Sequence, residues 1–315
     1  MSDQRTRTER RVVVTGGAGF IGSHVADVFL DDGYEVIVID DLSTGIAANV
    51  PAAADLVVLD VAHDPQALME TITKYGARVI CHLAAQSSVT VSVSDPAADA
   101  VSNVIGTMHV LEAALLADAR VVFASSGGAL YGNARAFPIG EETPCAPVAP
   151  YGASKLAAEA YVGAWGRRYG LPNVILRPGN VYGPRQRSDR EAGVVAIFSQ
   201  HLREGRRPTV YGYGTQTGDY VHAVDVARAF LLAAESDRAG VYNVASGVET
   251  TPLEILDLLQ QEAGTDLDPI LVPLREGELE RNCLDPTLIL RDLGWVPEIG
   301  LADGVADAYR SLAPA

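Results

Sequence analysis

A glycine-rich turn directly after a short apolar run constrains this chain most. Residues 12–22 read VVVTGGAGFIG, and the consecutive β-branched residues predict a strand buried on both faces. Gly16, Gly19 and Gly22 follow at a G-x-x-G-x-x-G spacing, ahead of a pattern with helical periodicity. The first two glycines allow a tight turn close to a pyrophosphate, and the third allows the helix to pack on the strand. The segment therefore predicts a dinucleotide site at a helix N-terminus, where free N–H groups favour an anion.

An acidic residue at the end of the next apolar run indicates which dinucleotide binds. Residues 35–39 read EVIVI and predict a second strand, which Asp40 follows. A carboxylate at this place accepts hydrogen bonds from the adenosine ribose and repels a 2′-phosphate. The glycines alone are also explained by an ordinary strand-to-helix turn, but Asp40 argues against that alternative. The sequence therefore predicts NAD rather than NADP.

Apolar runs and helical periodicity alternate along the chain. Further strands are predicted at 56–59, 78–83, 120–124 and 173–177, and helices at 65–75, 97–116 and 153–169. This alternation is typical of a doubly wound parallel sheet. Beyond residue 182 the pattern predicts helices at 193–204, 224–235 and 251–263, strands at 209–211 and 240–244, and a glycine-rich loop at 212–220. Thr250 or Thr251 is the expected N-cap of the helix over 251–263.

The expected fold class is α/β, with a Rossmann-like doubly wound parallel sheet and a smaller C-terminal substrate-binding lobe. Residues 1–181 are predicted to form the NAD-binding domain, to which elements near 222–246 return. Residues 182–315 are expected to form mainly the second lobe.

Composition excludes several classes of function. The net charge of −16 disfavours nucleic acid and anionic membranes as partners. No apolar run reaches the roughly 18 to 20 residues that span a bilayer, and the arginine-containing N-terminus lacks the apolar stretch of a signal peptide. Three cysteines far apart suggest neither a disulfide framework nor a metal cluster. We therefore expect a cytoplasmic protein without a metal.

The pair Tyr151 and Lys155 offers acid–base chemistry. Four residues apart at the start of a helix, the two side chains share one face, one turn apart. A tyrosine hydroxyl is a weak base at neutral pH because its ordinary pKa is near ~10. A lysine ammonium one turn away lowers that pKa, as does a cationic oxidised nicotinamide. An exposed pair on an amphipathic helix has the same spacing, but the dinucleotide turn upstream favours a proton acceptor for an alcohol.

Eight motifs occur in a family order along the chain: TGGAGFIGSH, DDLSTG, HLAAQ, NVIGT, ASSGGALYG, YGASK, RPGNVYGPRQ and LGW. On these motifs the chain resembles an extended short-chain dehydrogenase/reductase of the NAD-dependent epimerase/dehydratase family, from about residue 11 to residue 306. Within that family it is most similar to the UDP-glucose 4-epimerases.

The resemblance implies roles for particular residues. Tyr151 would be the acid/base, Lys155 would bind the nicotinamide ribose and tune Tyr151, and Ser126 would hydrogen-bond the sugar hydroxyl. The implied NAD contacts are Gly16, Gly19, Phe20, Ile21, Gly22, Asp40, Asp41, Leu42, Ser43, Gly45, Asp60, Val61, Leu83, Ala84, Ala85, Gln86, Asn103, Ser125, Tyr151, Lys155 and Pro178. The implied substrate contacts are Ser126, Gly127, Asn180, Val195, Thr209, Tyr211, Gln216 and Arg275.

Two positions depart from the family pattern. Gly127 stands where the family usually has the Ser or Thr that binds the sugar hydroxyl, so Ser126 or a water takes that role. Gly218 stands where the family commonly has an arginine that contacts the diphosphate. Arg185, Arg187 or Arg190 is expected to compensate, or the ligand differs.

The resemblance implies an NAD-dependent isomerase that inverts C4 of a nucleotide-activated hexose of the UDP-glucose/UDP-galactose type through a transient 4-keto sugar. It also implies a homodimer with a UDP-sugar as substrate. UDP-glucuronate and UDP-N-acetylhexosamines are alternative substrates. A 4,6-dehydratase is less favoured, because Gly128 and Ala129 occupy the places of its Asp-Glu pair and neither transfers a proton. A catalytically silent NAD-binding regulator is the alternative from another functional class.

Overall fold

The structure is a computed structural model that describes residues 10–189, 193–274 and 279–312. Its strands are β1 (Arg11–Thr15), β2 (Glu35–Asp40), β3 (Asp55–Val58), β4 (Val79–His82), β5 (Arg120–Ala124), β6 (Val174–Pro178), β7 (Asn180–Tyr182), β8 (Thr209–Val210), β9 (Gly218–His222), β10 (Gly240–Val244), β11 (Glu249–Thr250) and β12 (Ile270–Leu271).

α-Helices lie between these strands and after the last of them in the chain. In chain order they are α1 (Phe20–Asp31), α2 (Pro65–Tyr75), α3 (Val89–Ser94), α4 (Pro96–Ala100), α5 (Gly106–Leu116), α6 (Gly127–Leu130), α7 (Pro150–Tyr169), α8 (Val194–Arg203), α9 (Ala223–Glu235), α10 (Pro252–Ala263), α11 (Thr287–Leu293) and α12 (Leu301–Ser311). A π turn, Val101–Ile105, joins α4 to α5.

The main sheet confirms the predicted fold class. Its seven strands lie in the order β10-β6-β5-β4-β1-β2-β3, and the pairs β1–β2, β1–β4, β2–β3, β4–β5 and β5–β6 are parallel. Read from β3, six of these strands follow the order of a doubly wound dinucleotide-binding sheet. The carboxyl ends of β1 to β5 therefore meet at one edge, which is where such sheets bind ligands.

The chain divides by packing into two compact units. The first contains the residues up to Ser126, together with Ala149–Arg177 and Ala227–Tyr242. The second contains Gly127–Val148, Pro178–Val226 and the residues from Asn243 onward. A division by packing does not show which part holds which ligand, so the domain boundary at 181/182 stays a prediction.

Apolar side chains fill the interior of each unit. In the first unit, β-branched residues of the parallel strands, such as Val13 and Ile80, pack with apolar residues of α2 and α5, such as Ile72 and Leu111. The second unit has its own cluster of buried apolar residues from α8, α10 and α12. No helix among residues 10–189, 193–274 and 279–312 is long and apolar enough to cross a membrane.

Local signals set the start of two helices. Thr251 caps α10 with a capping box, in which its hydroxyl accepts from Glu254 N and the Glu254 carboxylate accepts from Thr251 N. One of the two predicted N-caps is thus confirmed. Helix α7 begins at Pro150 rather than at 153, because proline is suited to the first helical position.

The predicted loop over 212–220 is wrong in its last residues. Gly218 begins strand β9, which pairs with β7 and β11. The sequence did not predict this strand because it contains an aspartate, Asp219, which is fully buried in the structure. The Asp219 carboxylate accepts hydrogen bonds from the backbone N–H groups of Ser246, Gly247 and Leu284. Because both oxygens are satisfied, the strand tolerates a buried carboxylate.

Candidate active site

The glycine turn after β1 leaves no room for side chains. Gly16 has φ +72°, and a Cβ there would lie 2.6 Å from Ala84 N. A Cβ at Gly22 would overlap the carbonyl oxygen of Gly16. Gly19 is the N-cap of α1 and provides no side-chain hydrogen bond to the first turn. The backbone N–H groups around Phe20 and Ile21 thus begin an uncapped helix behind a close-packed turn, which suits a pyrophosphate.

Asp40 ends β2 and organises the loop that follows. Its oxygens accept from Ala18 N and Leu42 N, both at 2.9 Å. Burial raises the pKa of Asp40, and the two backbone hydrogen bonds oppose that rise. In the same loop the Asp41 carboxylate accepts from Ser43 N and Ser43 Oγ, and a Cβ at Gly45 would lie 2.6 Å from Asp40 Oδ1. The Asp40 carboxylate accepts two hydrogen bonds and so retains lone pairs that ribose hydroxyls could use.

Asp60 follows β3 and is already engaged. Its Oδ1 accepts from Ala62 N at 2.7 Å, and its Oδ2 lies 2.8 Å from Nδ1 of the exposed His63. Burial raises the pKa of Asp60, but the hydrogen bonds from His63 and Ala62 outweigh this, so the net shift is downward. The predicted contact of Asp60 with NAD must therefore share this carboxylate with His63. Val61 is buried directly after it.

A buried hydrogen-bond chain fixes the ends of β1 and β4. Thr15 Oγ1 lies 2.7 Å from His82 Nδ1, and His82 Nε2 lies 3.0 Å from Thr107 Oγ1. Thr15 Oγ1 also accepts from the N–H groups of Leu83 and Ala84, each at 3.3 Å. Burial lowers the pKa of His82 to about 3, so its ring is neutral at physiological pH. The chain holds the predicted cofactor segment 83–86 beside the glycine turn.

Asn103 and Gln86 meet at a carboxylate that the sequence did not reveal. Asn103 lies on the π turn and donates to Gln86 O at 2.9 Å. Asp99 Oδ1 accepts from Asn103 Nδ2 at 3.0 Å and from Gln86 Nε2 at 2.7 Å. The signal that could have revealed Asp99 is its spacing four residues before Asn103, which places both on one helix face.

Tyr151 and Lys155 lie one turn apart on α7, as predicted. Tyr151 is half-buried and Lys155 is buried. Lys155 Nζ donates to Ala124 O at the end of β5 at 2.9 Å, and it lies 4.9 Å from the Phe123 ring centroid. Burial lowers the pKa of Lys155 to about 8, while Asp99 and Glu159 oppose that change. The ammonium therefore sits at the carboxyl edge of the sheet.

Two adjacent serines follow β5. Ser125 is buried, and its N–H donates to Leu176 O at 2.8 Å. Its hydroxyl has no hydrogen-bond partner within the described part of the chain. Ser126 is half-buried. The structure thus places two hydroxyl groups next to Ala124, the acceptor of Lys155.

The residues expected to bind substrate, apart from Ser126 and Arg275, belong to the second unit. Asn180 begins β7 and is exposed, Thr209 begins β8 and Tyr211 begins a 3₁₀ turn. The other expected substrate positions are Gly127 at the start of α6, Val195 buried on α8, and the half-buried Gln216 before β9. Pro178, which is expected to contact NAD, ends β6. Within this unit the residues come from several separate segments.

Gly218, the second departure from the family pattern, is closely packed. A Cβ at Gly218 would overlap Asn180 Nδ2, so the missing side chain leaves room for the Asn180 amide. Arg187 is paired with Asp189 at 2.8 Å. Arg190 and Arg275 lie outside the described residues.

No group of three or more His, Cys, Asp or Glu side chains is placed to hold a metal ion in the described ranges.

Comparisons with known proteins show which proteins this chain is similar to. Residues 12–245 match the NAD dependent epimerase/dehydratase family. The UDP-glucose 4-epimerase of Mycolicibacterium smegmatis is 43% identical over 308 residues, covering 94% of this chain and 96% of that protein. A dTDP-glucose 4,6-dehydratase of Streptomyces niveus is 34% identical, covering 94% of this chain and 91% of that protein. The crystal structure of a UDP-glucose 4-epimerase with UDP-glucose from Thermotoga maritima superposes with a TM-score of 0.93 at 39% identity, covering 96% and 98% of the two chains.

Proposed function

The chain belongs to the NAD-dependent epimerase/dehydratase family, and from that premise we propose that it interconverts UDP-glucose and UDP-galactose by inverting C4 of the hexose. The predicted family, the predicted enzyme class and the predicted NAD cofactor are confirmed by this membership. The substrate is supported by the names of two similar proteins, a UDP-glucose 4-epimerase of Mycolicibacterium smegmatis and one of Thermotoga maritima with UDP-glucose.

The residues of the first unit fit NAD. The glycine turn and the uncapped start of α1 would hold the pyrophosphate, and the buried Asp40 carboxylate would bind the adenosine ribose. Segment 83–86 and Asn103 would flank the cofactor, and Lys155 would donate to the nicotinamide ribose. When bound, NAD supplies a hydride acceptor that takes hydrogen from C4 and returns it to the opposite face of the sugar.

The observation that carries the proposal is the buried ammonium of Lys155, one helical turn after Tyr151. An ammonium in a dry site stabilises a tyrosinate strongly, because the attraction between the charges is less screened there than in water. Tyr151 can then accept the proton of the C4 hydroxyl as the carbonyl forms, and return it afterwards. Taken together, the forward and return transfers leave the oxidation state of the sugar unchanged.

A 4,6-dehydratase shares the oxidation at C4 but needs proton transfer at C5 and C6. The residues that follow Ser126 are Gly127, Gly128 and Ala129, of which none carries a titratable group. The similarity to the dehydratase of Streptomyces niveus therefore supports the shared first half of the reaction and not the elimination of water. The proposed reaction ends at the 4-epimer.

Purified protein incubated with UDP-glucose, UDP-galactose, UDP-glucuronate, UDP-N-acetylglucosamine and dTDP-glucose tests this proposal, with products identified by NMR and mass spectrometry. We expect 4-epimers of the two UDP-hexoses, with no change of mass. A product lighter by the mass of one water would indicate a dehydratase. Turnover confined to another UDP-sugar would identify that sugar nucleotide as the substrate instead. Absence of turnover with NAD bound would favour the regulator.

Tyr151→Phe is the matched control for that assay. The variant retains the ring and loses only the hydroxyl, so we expect turnover to fall at least about 100-fold. Because the ring is unchanged, bound NAD, measured by absorbance after denaturation, should stay close to that of the wild type. Retention of more than a tenth of the activity would mean that another group accepts the proton.

A further inference from the structure

A fully buried carboxylate stands behind the catalytic helix. Asp99 lies on α4 with none of its surface exposed. Its Oδ1 accepts from both the Gln86 and the Asn103 amides, whereas its Oδ2 has no hydrogen-bond partner among the described residues. Burying an ionised group without a counter-charge is very unfavourable. A cation near Asp99 would stabilise its carboxylate form.

Lys155 is a buried cation on α7, the helix that packs against α4. It is 3% exposed, and among its described contacts the ammonium donates only to Ala124 O. Asp99 and Glu159 are the two acids whose charges favour the protonated lysine. Tyr151 precedes Lys155 by one turn on α7. His82 on β4 is neutral, because burial and, to a smaller extent, the charge of Lys155 lower its pKa.

Glu159 is the weaker counter-charge of the two, because it already pairs with an arginine. Its two oxygens accept from Arg177 Nε at 2.9 Å and from Arg177 Nη2 at 2.6 Å, and both side chains are buried. The opposite charges of such a bidentate pair largely cancel, so the pair exerts little electrostatic effect on more distant groups. Asp99 has no ion-pair partner within the described ranges, so its charge remains to balance Lys155.

We propose that Asp99 is a positioning residue of the reaction centre, whose carboxylate is the counter-charge that keeps the Lys155 ammonium protonated beside Tyr151. The proposal deepens the proposed function, because a protonated Lys155 is what stabilises the tyrosinate. The charge balance of Lys155 itself, however, can be measured without any turnover.

Replacing Asp99 with asparagine isolates its charge. The asparagine Oδ1 can accept from Gln86 and Asn103 as the aspartate does, and its amide group takes the place of the oxygen that has no partner. Asp95→Asn is the matched control on the same helix. Asp95 is exposed and caps α4 through Ala98 N at 3.0 Å, and asparagine is an equally good cap.

The chain has only two lysines, Lys74 and Lys155, so selective labelling with ¹³Cε-lysine gives two assignable NMR signals in the full-length protein. Lys74 is exposed and serves as the internal reference. We expect the titration midpoint of Lys155 to fall by about one pH unit or more in Asp99→Asn. In Asp95→Asn it should stay at the wild-type value. If Asp99→Asn does not fold, the smaller neutral Asp99→Ser is used in its place.

An unchanged midpoint in Asp99→Asn, or an equal fall in Asp95→Asn, would overturn the proposal, whether or not the protein is an epimerase. Where turnover is found, the alkaline limb of the kcat profile should move to lower pH together with the Lys155 midpoint. A purely structural role of Asp99 would lower kcat at every pH and leave the limb in place.

Discussion

At the scale of single residues, the hydroxyl that contacts the sugar is the sharpest test of the site. Ser126 is the predicted donor, and Ser125 is the matched control because it is adjacent and loses the same group. We expect Ser126→Ala to lower kcat about ten- to a hundredfold, as the loss of one transition-state hydrogen bond does. Steady-state kinetics of both variants measure this.

Ser125→Ala removes a hydroxyl that is expected to contact NAD rather than the sugar, so it should lower kcat less than Ser126→Ala does. The opposite ranking would move the role to Ser125, whose buried hydroxyl has no partner in the described residues and could bond a ligand. Two small effects would mean that a water makes the contact.

Gly218 is the second residue whose size matters. An alanine Cβ there would overlap Asn180 Nδ2 and displace its amide. The family resemblance implies that this amide contacts the diphosphate of the substrate. Because a hydrogen bond to a charged group contributes about 1.5–3 kcal/mol, we expect KM for the UDP-sugar to rise about tenfold or more in Gly218→Ala. Gly140→Ala is the control, since a Cβ at Gly140 has no atom within 4 Å. An equal KM in both variants would remove Asn180 from the substrate site.

The candidate site was predictable from sequence wherever chemistry follows local spacing. Gly16, Gly22, Tyr151 and Lys155 fall within single turns, so their geometry is set by neighbours in the chain. Asp99 was not predictable as part of the site, because its contacts with Gln86 and its charge relation to Lys155 arise only when separate elements pack together.

At the scale of elements, the parallel sheet was predictable because its strands are nearly continuous apolar runs. The short strands β7, β9 and β11 were not, since they carry polar residues whose partners lie elsewhere in the chain. The buried Asp219 is an example: its hydrogen bonds come from residues 246, 247 and 284. The π turn between α4 and α5 likewise has no local sequence signal.

Strand β4 is tied to β1 and α5 by a histidine, and this predicts a pH dependence of stability. The folded-state pKa of His82 is lowered from its ordinary value of 6.5 to about 3 by burial. Below pH 6.5 the unfolded chain binds a proton at His82 that the folded chain does not. The free energy of unfolding should therefore fall as pH falls from about 6.5 towards about 3. Urea unfolding at a series of pH values measures this.

His82→Gln should weaken that dependence on pH, although the variant loses the hydrogen bonds to Thr15 and Thr107 and is less stable throughout. His63→Gln is the control with the opposite sign. Its hydrogen bond to Asp60 raises the pKa of His63, so its stabilising contribution is present at low pH and lost as pH rises. Equal slopes in the wild type and His82→Gln would show that His82 is not buried as a neutral ring.

At the scale of the whole molecule, the structure of a single chain tests neither the oligomeric state nor the cellular location. The cytoplasmic location therefore stays a prediction, and the homodimer is a proposal. We propose that α5 and α7 pair with their copies around a two-fold axis as a four-helix bundle. Large side chains on these helices are exposed, among them Leu116 at 65% and Tyr161 at 37%. Exposed apolar area on neighbouring helices is typical of an interface.

Tyr161→Glu tests the dimer because it places a charge on that surface, where an isologous interface would bring two copies close to the axis. We expect light scattering at micromolar concentration to give a dimer for the wild type and a monomer for the variant, since an unpaired buried charge is strongly destabilising. Val248→Glu is the control, as Val248 is 60% exposed and lies outside both helices. A monomeric wild type, or dissociation by Val248→Glu as well, would contradict the bundle and leave the catalytic proposal untouched, because Tyr151 and Lys155 belong to the same chain.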